Sequence, residues 1–70
     1  MTIKDFKKLF MCIGNVNKLN VIIYNINTCE TIKEYKNYWD FNFDSFNEDY
    51  KISKINGILL FKDSIDLWVE

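Results

Sequence analysis

Apolar residues recur along this chain with two different periods, and the change of period divides it into elements. Ile3, Phe6, Leu9, Phe10 and Ile13 follow helical spacing on one face, with Lys4, Lys7 and Lys8 on the others. Thr2 stands before that run and Asp5 three residues later, an acidic variant of the capping box, and Gly14 suits the left-handed position after a helix. A helix over 3–12 is therefore predicted. Residues 19–26 are rich in β-branched side chains and predict a strand. Asn27-Thr28-Cys29-Glu30 is turn-like, and Thr31–Tyr35 forms the return strand of a hairpin. Leu19, Val21 and Ile23 share one face of the first strand and Ile22, Tyr24 and Ile26 the other, so this strand belongs in the middle of a sheet or is covered on both sides.

The segment 37–50, NYWDFNFDSFNEDY, carries both periods. Trp39, Phe41 and Phe43 alternate as in a strand, whereas Trp39, Phe43, Phe46 and Tyr50 fall at helical spacing. The alternation is taken as the stronger signal, giving extended chain and then one helical turn opened by Ser45-x-x-Glu48. Residues 51–70 are strand-rich. Asn56-Gly57 is a hairpin signal that either turns the chain or only bulges it, Lys62-Asp63-Ser64 is a second turn candidate, and two or three strands result. The expected fold is one α+β domain over 1–70: an antiparallel sheet of four to five strands, the N-terminal helix packed on one face, and a short connecting helix.

Composition narrows the chemistry. Seventy residues bury only about 60% of the unfolded surface, so stability is expected to be marginal. The chain has no His, which removes the commonest acid–base and metal-binding side chain, and no Arg, which removes the bidentate fork for phosphate and guanine. No Ser or Cys has a histidine to activate it, and two glycines cannot make a phosphate cradle. Asp40, Asp44, Glu48 and Asp49 lack the glycine and glutamate positions of a calcium loop. The expectation is a protein that is not an enzyme and takes no metal or cofactor. Cys12 and Cys29 read as one buried and one loop thiol. Lysines and an aspartate interrupt the N-terminal apolar run, no stretch is long enough to span a membrane, and a cytoplasmic location in a host cell is expected.

Charge is polarised. Residues 1–36 have a net charge of +3 and residues 51–70 are neutral, while 37–50 hold four acids, no lysine and six aromatic rings. Lys4, Lys7, Lys8 and Lys18 could form a small basic patch, but a chain of net charge −1 without arginine does not read as a direct nucleic-acid binder. The segment has two readings: rings inward as core with the acids outward for solubility, or part of the aromatic set exposed beside the acids as a partner surface. In the second, aromatic anchors desolvate well, and carboxylates around them steer the segment toward a basic protein surface. Such a surface is most often a nucleic-acid channel, where carboxylates can occupy the places of phosphates. The partner contacts expected are Asp40, Asp44, Glu48 and Asp49, with Trp39 or Phe41 as anchor.

The opening MTIKDF, the hairpin NVIIYNINTCETI, the acidic-aromatic connection and the closing KISKINGILLFKDSIDLWVE cover most of the chain. This layout resembles small accessory proteins of phages and mobile elements in A/T-rich Firmicutes, some of them anti-CRISPR inhibitors that act as acidic mimics of nucleic acid. Ile, Lys and Asn, with A/T-rich codons, fill 28 of the 70 positions. The resemblance implies a stoichiometric inhibitor that binds a CRISPR effector, as a monomer or homodimer. The alternative is a self-associating structural or regulatory interaction module, because Ile58-Leu59-Leu60-Phe61 would invite edge pairing if uncovered.

Overall fold

The computed structural model describes residues 1–10, 19–57 and 64–70. Their order is α1 (Ile3–Phe10), β1 (Asn20–Asn25), β2 (Thr31–Tyr35), α2 (Tyr38–Phe43), a 3-10 turn (Ser45–Asn47), β3 (Ile52–Asn56) and β4 (Ser64–Val69). The class is α+β, with the strands in one open sheet of order β2-β1-β4-β3. Cys12, Ile13, Gly14, Ile58-Leu59-Leu60-Phe61 and the Lys62-Asp63 part of the second turn candidate lie outside the described residues.

The helix start at Thr2 forms as its residues dictate. The Thr2 N–H donates to Asp5 Oδ2 at 3.1 Å, and the Asp5 N–H returns a bond to Thr2 Oγ1 at 3.3 Å. Two further amides of the first turn donate across the molecule, Ile3 to the Tyr50 carbonyl (3.0 Å) and Lys4 to that of Glu48 (3.2 Å). The orphan donors of this terminus thus dock α1 on the segment before β3. The buried face is rotated from the expected one: Ile3, Phe6 and Lys7 are buried, and Leu9 is 64% exposed. At roughly 100° per residue, Lys7 sits about 40° from Ile3 and Leu9 about 120° away, so the lysine and not the leucine turns inward.

Register places β1 against β2 antiparallel, Val21 opposite Tyr35 and Ile23 opposite Lys33, with a bulge after Ile23. The turn is held by the Asn25 side chain, which accepts from the Asn27 N–H at 2.8 Å and the Thr28 N–H at 3.3 Å. Cys29, exposed, adopts a left-handed φ of 61° there. β3 pairs antiparallel with β4. The central pair, β1 and β4, runs parallel, from Asn20 opposite Ser64 to Asn25 opposite Val69. The sheet is therefore mixed, a correction to the all-antiparallel expectation. Parallel neighbours need a long crossover, and residues 36–51 provide one by carrying the chain from the β2 edge to the β3 edge. Two hairpins then lie side by side with their inner strands in the same direction.

Strand alternation directs Val21, Ile23, Ile65, Leu67 and Val69 to the helix-covered face, where they bury with Ile3, Phe6, Tyr35, Tyr38 and Phe41. On the other face Tyr24 and Trp68 stack at 4.5 Å between ring centres. β3 ends at Asn56, and Gly57 follows at a φ of 91°, where a Cβ would strike the Ser64 carbonyl. Only glycine fits this close approach of the two strands.

Candidate functional site: the acidic-aromatic elbow

The connection 37–50 is helical where extended chain was expected. Its first helix has a reciprocal cap: Asn37 Oδ1 accepts the Asp40 N–H at 2.9 Å, and Asn37 Nδ2 donates to Asp40 Oδ2 at 3.0 Å. This differs from a capping box in that the Asp40 carboxylate meets the side-chain amide of the cap and not its backbone N–H, and it lies in the sequence as N-x-x-D. Asp44 leaves the helix with extended backbone, and its Oδ1 accepts the Phe46 N–H at 3.1 Å, capping the 3-10 turn. The cap of that turn is thus Asp44 rather than Ser45, whose carbonyl closes the turn by accepting from the Glu48 N–H at 3.3 Å.

This elbow divides its rings between inside and outside. Tyr38 and Phe41, three apart on α2, are buried; Phe41 meets Phe6, Tyr35 and Tyr38 at centroid distances of 6.2, 5.6 and 5.5 Å. Phe41, expected as a possible partner anchor, is a core residue with 0% exposure and is withdrawn from the contact set. Trp39 and Phe43, four apart on the opposite side of α2, are 42% and 78% exposed and lie nearly parallel, 5.9 Å apart at 22°. Phe46 is 60% exposed and meets the half-buried Tyr50 edge-on at 6.0 Å. Phe43 and Phe46 are additions to the expected set; their signal was the helical spacing from Trp39 to Tyr50.

The four acids also divide. Asp44 is engaged within the molecule: Tyr35 donates its hydroxyl proton to Asp44 Oδ2 at 2.7 Å, and Lys7 Nζ donates to the Asp44 carbonyl at 2.8 Å. Glu48 lies 3.9 Å from the same ammonium. Lys7 Nζ further sits 5.1 Å from the centre of the Phe41 ring. Buried Asn47 donates to the Tyr35 hydroxyl (3.1 Å) and the Phe41 carbonyl (3.3 Å), tying the elbow to β2. Asp40 and Asp49 are exposed. The carboxylate surface offered to solvent therefore consists of Asp40, Asp49 and part of Glu48, while Asp44 positions the elbow. Lys7, Tyr35 and Asn47 were not foreseen in these roles, because each acts across a large separation in sequence. Among the described residues no group of three or more His, Cys, Asp or Glu side chains could hold a metal ion, and no helix is long and apolar enough to cross a membrane.

Hydrogen bonds from Tyr35 and the Phe46 N–H hold the Asp44 carboxyl below its ordinary value of 3.8. The cap at Thr2 does the same for Asp5. Burial, reinforced by the bond to Asp44, pushes the Tyr35 phenol up to about 12, and burial alone does so for Tyr38. Burial lowers Lys7, opposed by Glu48 and Asp44. A tyrosine in the unfolded chain ionises near 10.0, so stabilisation from the two phenols is complete below that pH and disappears as pH rises through about 12. Lys7 works the other way, its burial cost easing as pH rises from its lowered value toward 10.5. The two carboxyls contribute stability present above 3.8 and lost as pH falls through their lower folded values. Thermal melts followed by circular dichroism should show a broad maximum, an acid limb below about pH 4 and an alkaline limb above about pH 10. A melting temperature that rises between pH 10 and 12 would contradict the burial of the phenols.

No protein-family model matches this chain, and the searches of curated proteins and of solved structures each return no match.

Proposed function

We propose that this chain is a stoichiometric inhibitor of a bacterial defence system, an anti-CRISPR protein that docks its elbow on a basic surface of a CRISPR effector. One observation carries the reading: Trp39, Phe43 and Phe46 stand exposed on a single connection that also holds four acids and no lysine. Exposed rings of this size are the side chains that most often dominate binding energy when desolvated. Their rim of Asp40, Asp49 and Glu48 favours a basic partner and would make association faster at low salt. The contact set proposed is thus aromatic at its centre and acidic at its edge, which narrows the decoy mechanism from four carboxylates to three. The choice of a CRISPR effector as the partner comes from the resemblance of the chain's layout to phage accessory proteins.

The test is phage plating on strains with active CRISPR systems of several types. Expression of the chain is expected to restore plating of a targeted phage in one of them, and the double variant Phe43→Ser/Phe46→Ser is expected to lose that protection. A single hot-spot ring is worth about 2 kcal/mol, or roughly thirtyfold in Kd. Because both rings are exposed, the variant's melting temperature should stay close to the parent's. Absence of rescue in every strain, or rescue undiminished by the double variant, would remove the proposal.

A further inference from the structure

We infer that the outer side of α2 is a seat for an arginine of the partner protein, its guanidinium laid on the Phe43 ring and donating to Asp40. This deepens the reading above and rests on it. The Trp39 and Phe43 rings stack, 5.9 Å apart at 22°, so Trp39 backs one face of the Phe43 ring, which is 78% exposed and keeps its other face for a flat cation. Asp40 belongs to the same six-residue helix, three residues before Phe43. Its side chain is held in place by the cap, because Oδ2 accepts from Asn37 at 3.0 Å. Among the described residues Oδ1 takes no hydrogen bond and is left to accept one.

The inner side of the same helix shows the chemistry already in use. There Lys7 Nζ lies 5.1 Å from the Phe41 ring centre, with the Asp44 carbonyl at 2.8 Å and the Glu48 carboxylate at 3.9 Å. A cation on a ring, flanked by oxygen acceptors, thus lies where α1 meets α2. The outer side repeats the ring and the carboxylate, and among the described residues no lysine lies over Phe43 or Phe46.

Arginine fits this seat better than lysine. Its guanidinium is planar, is weakly hydrated, stacks on an aromatic face and can still donate in its own plane to a carboxylate. An ammonium is compact and keeps its water. The occupant cannot come from a second copy, since this chain contains no arginine. Nor does a nucleic acid suit it, because a segment of four acids and no lysine repels phosphate.

Two-dimensional 15N NMR of the whole chain tests the seat directly. The probes are a blocked nonapeptide of alternating glycine and arginine, its lysine counterpart, and a short oligothymidylate. The arginine peptide is expected to shift the Trp39 indole N–H and the amides of Asp40 and Phe43, binding about threefold more tightly than the lysine peptide. Phe43→Leu should abolish that preference while keeping an apolar side chain, and Asp40→Asn should weaken the arginine peptide severalfold with the rest of the spectrum unchanged. Equal binding of the two peptides, shifts centred elsewhere, or the same shifts with the oligonucleotide would overturn the inference. If the arginine peptide fails while Phe43→Ser/Phe46→Ser still abolishes phage protection, the seat is wrong and the elbow remains the docking surface. If the double variant also leaves protection intact, both fall.

Discussion

Replacing Phe41 with alanine is expected to leave little folded protein. The ring is fully buried and touches α1, β2 and its own helix through Phe6, Tyr35 and Tyr38. It is also the surface on which Lys7 rests its charge. Deleting a buried phenylalanine costs about 3–5 kcal/mol in lost transfer energy and residual cavity. The total stability of a 70-residue domain is only about 4–10 kcal/mol, and at the low end expected of so small a core most or all of it would be removed. Phe41→Leu keeps much of the volume and should cost about 1–1.5 kcal/mol. Urea denaturation of the two variants measures both values. A Phe41→Ala protein with native stability that had lost only partner binding would restore this residue to the contact surface and refute its place in the core.

The second large effect concerns Lys7, and there the contrast between two substitutions is more telling than either alone. Lys7→Ala removes the buried stem, the donor to the Asp44 carbonyl and the counter-charge of Glu48. The expected loss is about 2–3 kcal/mol, from stem burial and a charge-assisted hydrogen bond together. Lys7→Met keeps the stem and removes the cost of burying an ammonium. The carboxylate it abandons lies where water can reach, since the Glu48 side chain is 34% exposed. That variant is expected to stay within about 1 kcal/mol of the parent, as buried ion pairs replaced by apolar residues of like volume often do. Chemical denaturation again decides: a methionine as costly as the alanine would show that the ammonium, and not its stem, holds α1 to the elbow.

These two residues also explain why the surface the elbow offers to solvent differs from the one the sequence suggests. Six rings and four acids alternate closely in 37–50, and a segment this dense cannot expose all of them or bury all of them. The inner positions Tyr38 and Phe41 complete the core. Asp44, at the bend, is taken up by Tyr35, Lys7 and the Phe46 amide. What remains outside is a smaller set with Trp39, Phe43 and Phe46 at its centre. A decoy built on this elbow presents aromatic surface first and negative charge second. Its binding should therefore be less sensitive to salt than four free carboxylates would make it.

Much of the fold was legible one element at a time. The Thr2–Asp5 box, the hairpin of β1 and β2 and the inward alternation of β4 all rest on contacts within a few residues, or on the strict two-residue period of a strand. The helix at Tyr38–Phe43 was legible too, in the N-x-x-D cap and the i, i+4 rings, although a strand-like alternation overlay it. Local hydrogen bonds decided between the two periods, as caps do when hydrophobic patterns tie. Other features depended on partners far along the chain. The parallel run of β1 beside β4, the burial of Lys7 in place of Leu9 and the internal capture of Asp44 are settled only when α1, β2 and the elbow meet. Short-range chemistry specifies which element forms. Which side of it faces inward is a matter of shared volume and of satisfying buried polar groups, and both are properties of the assembled chain.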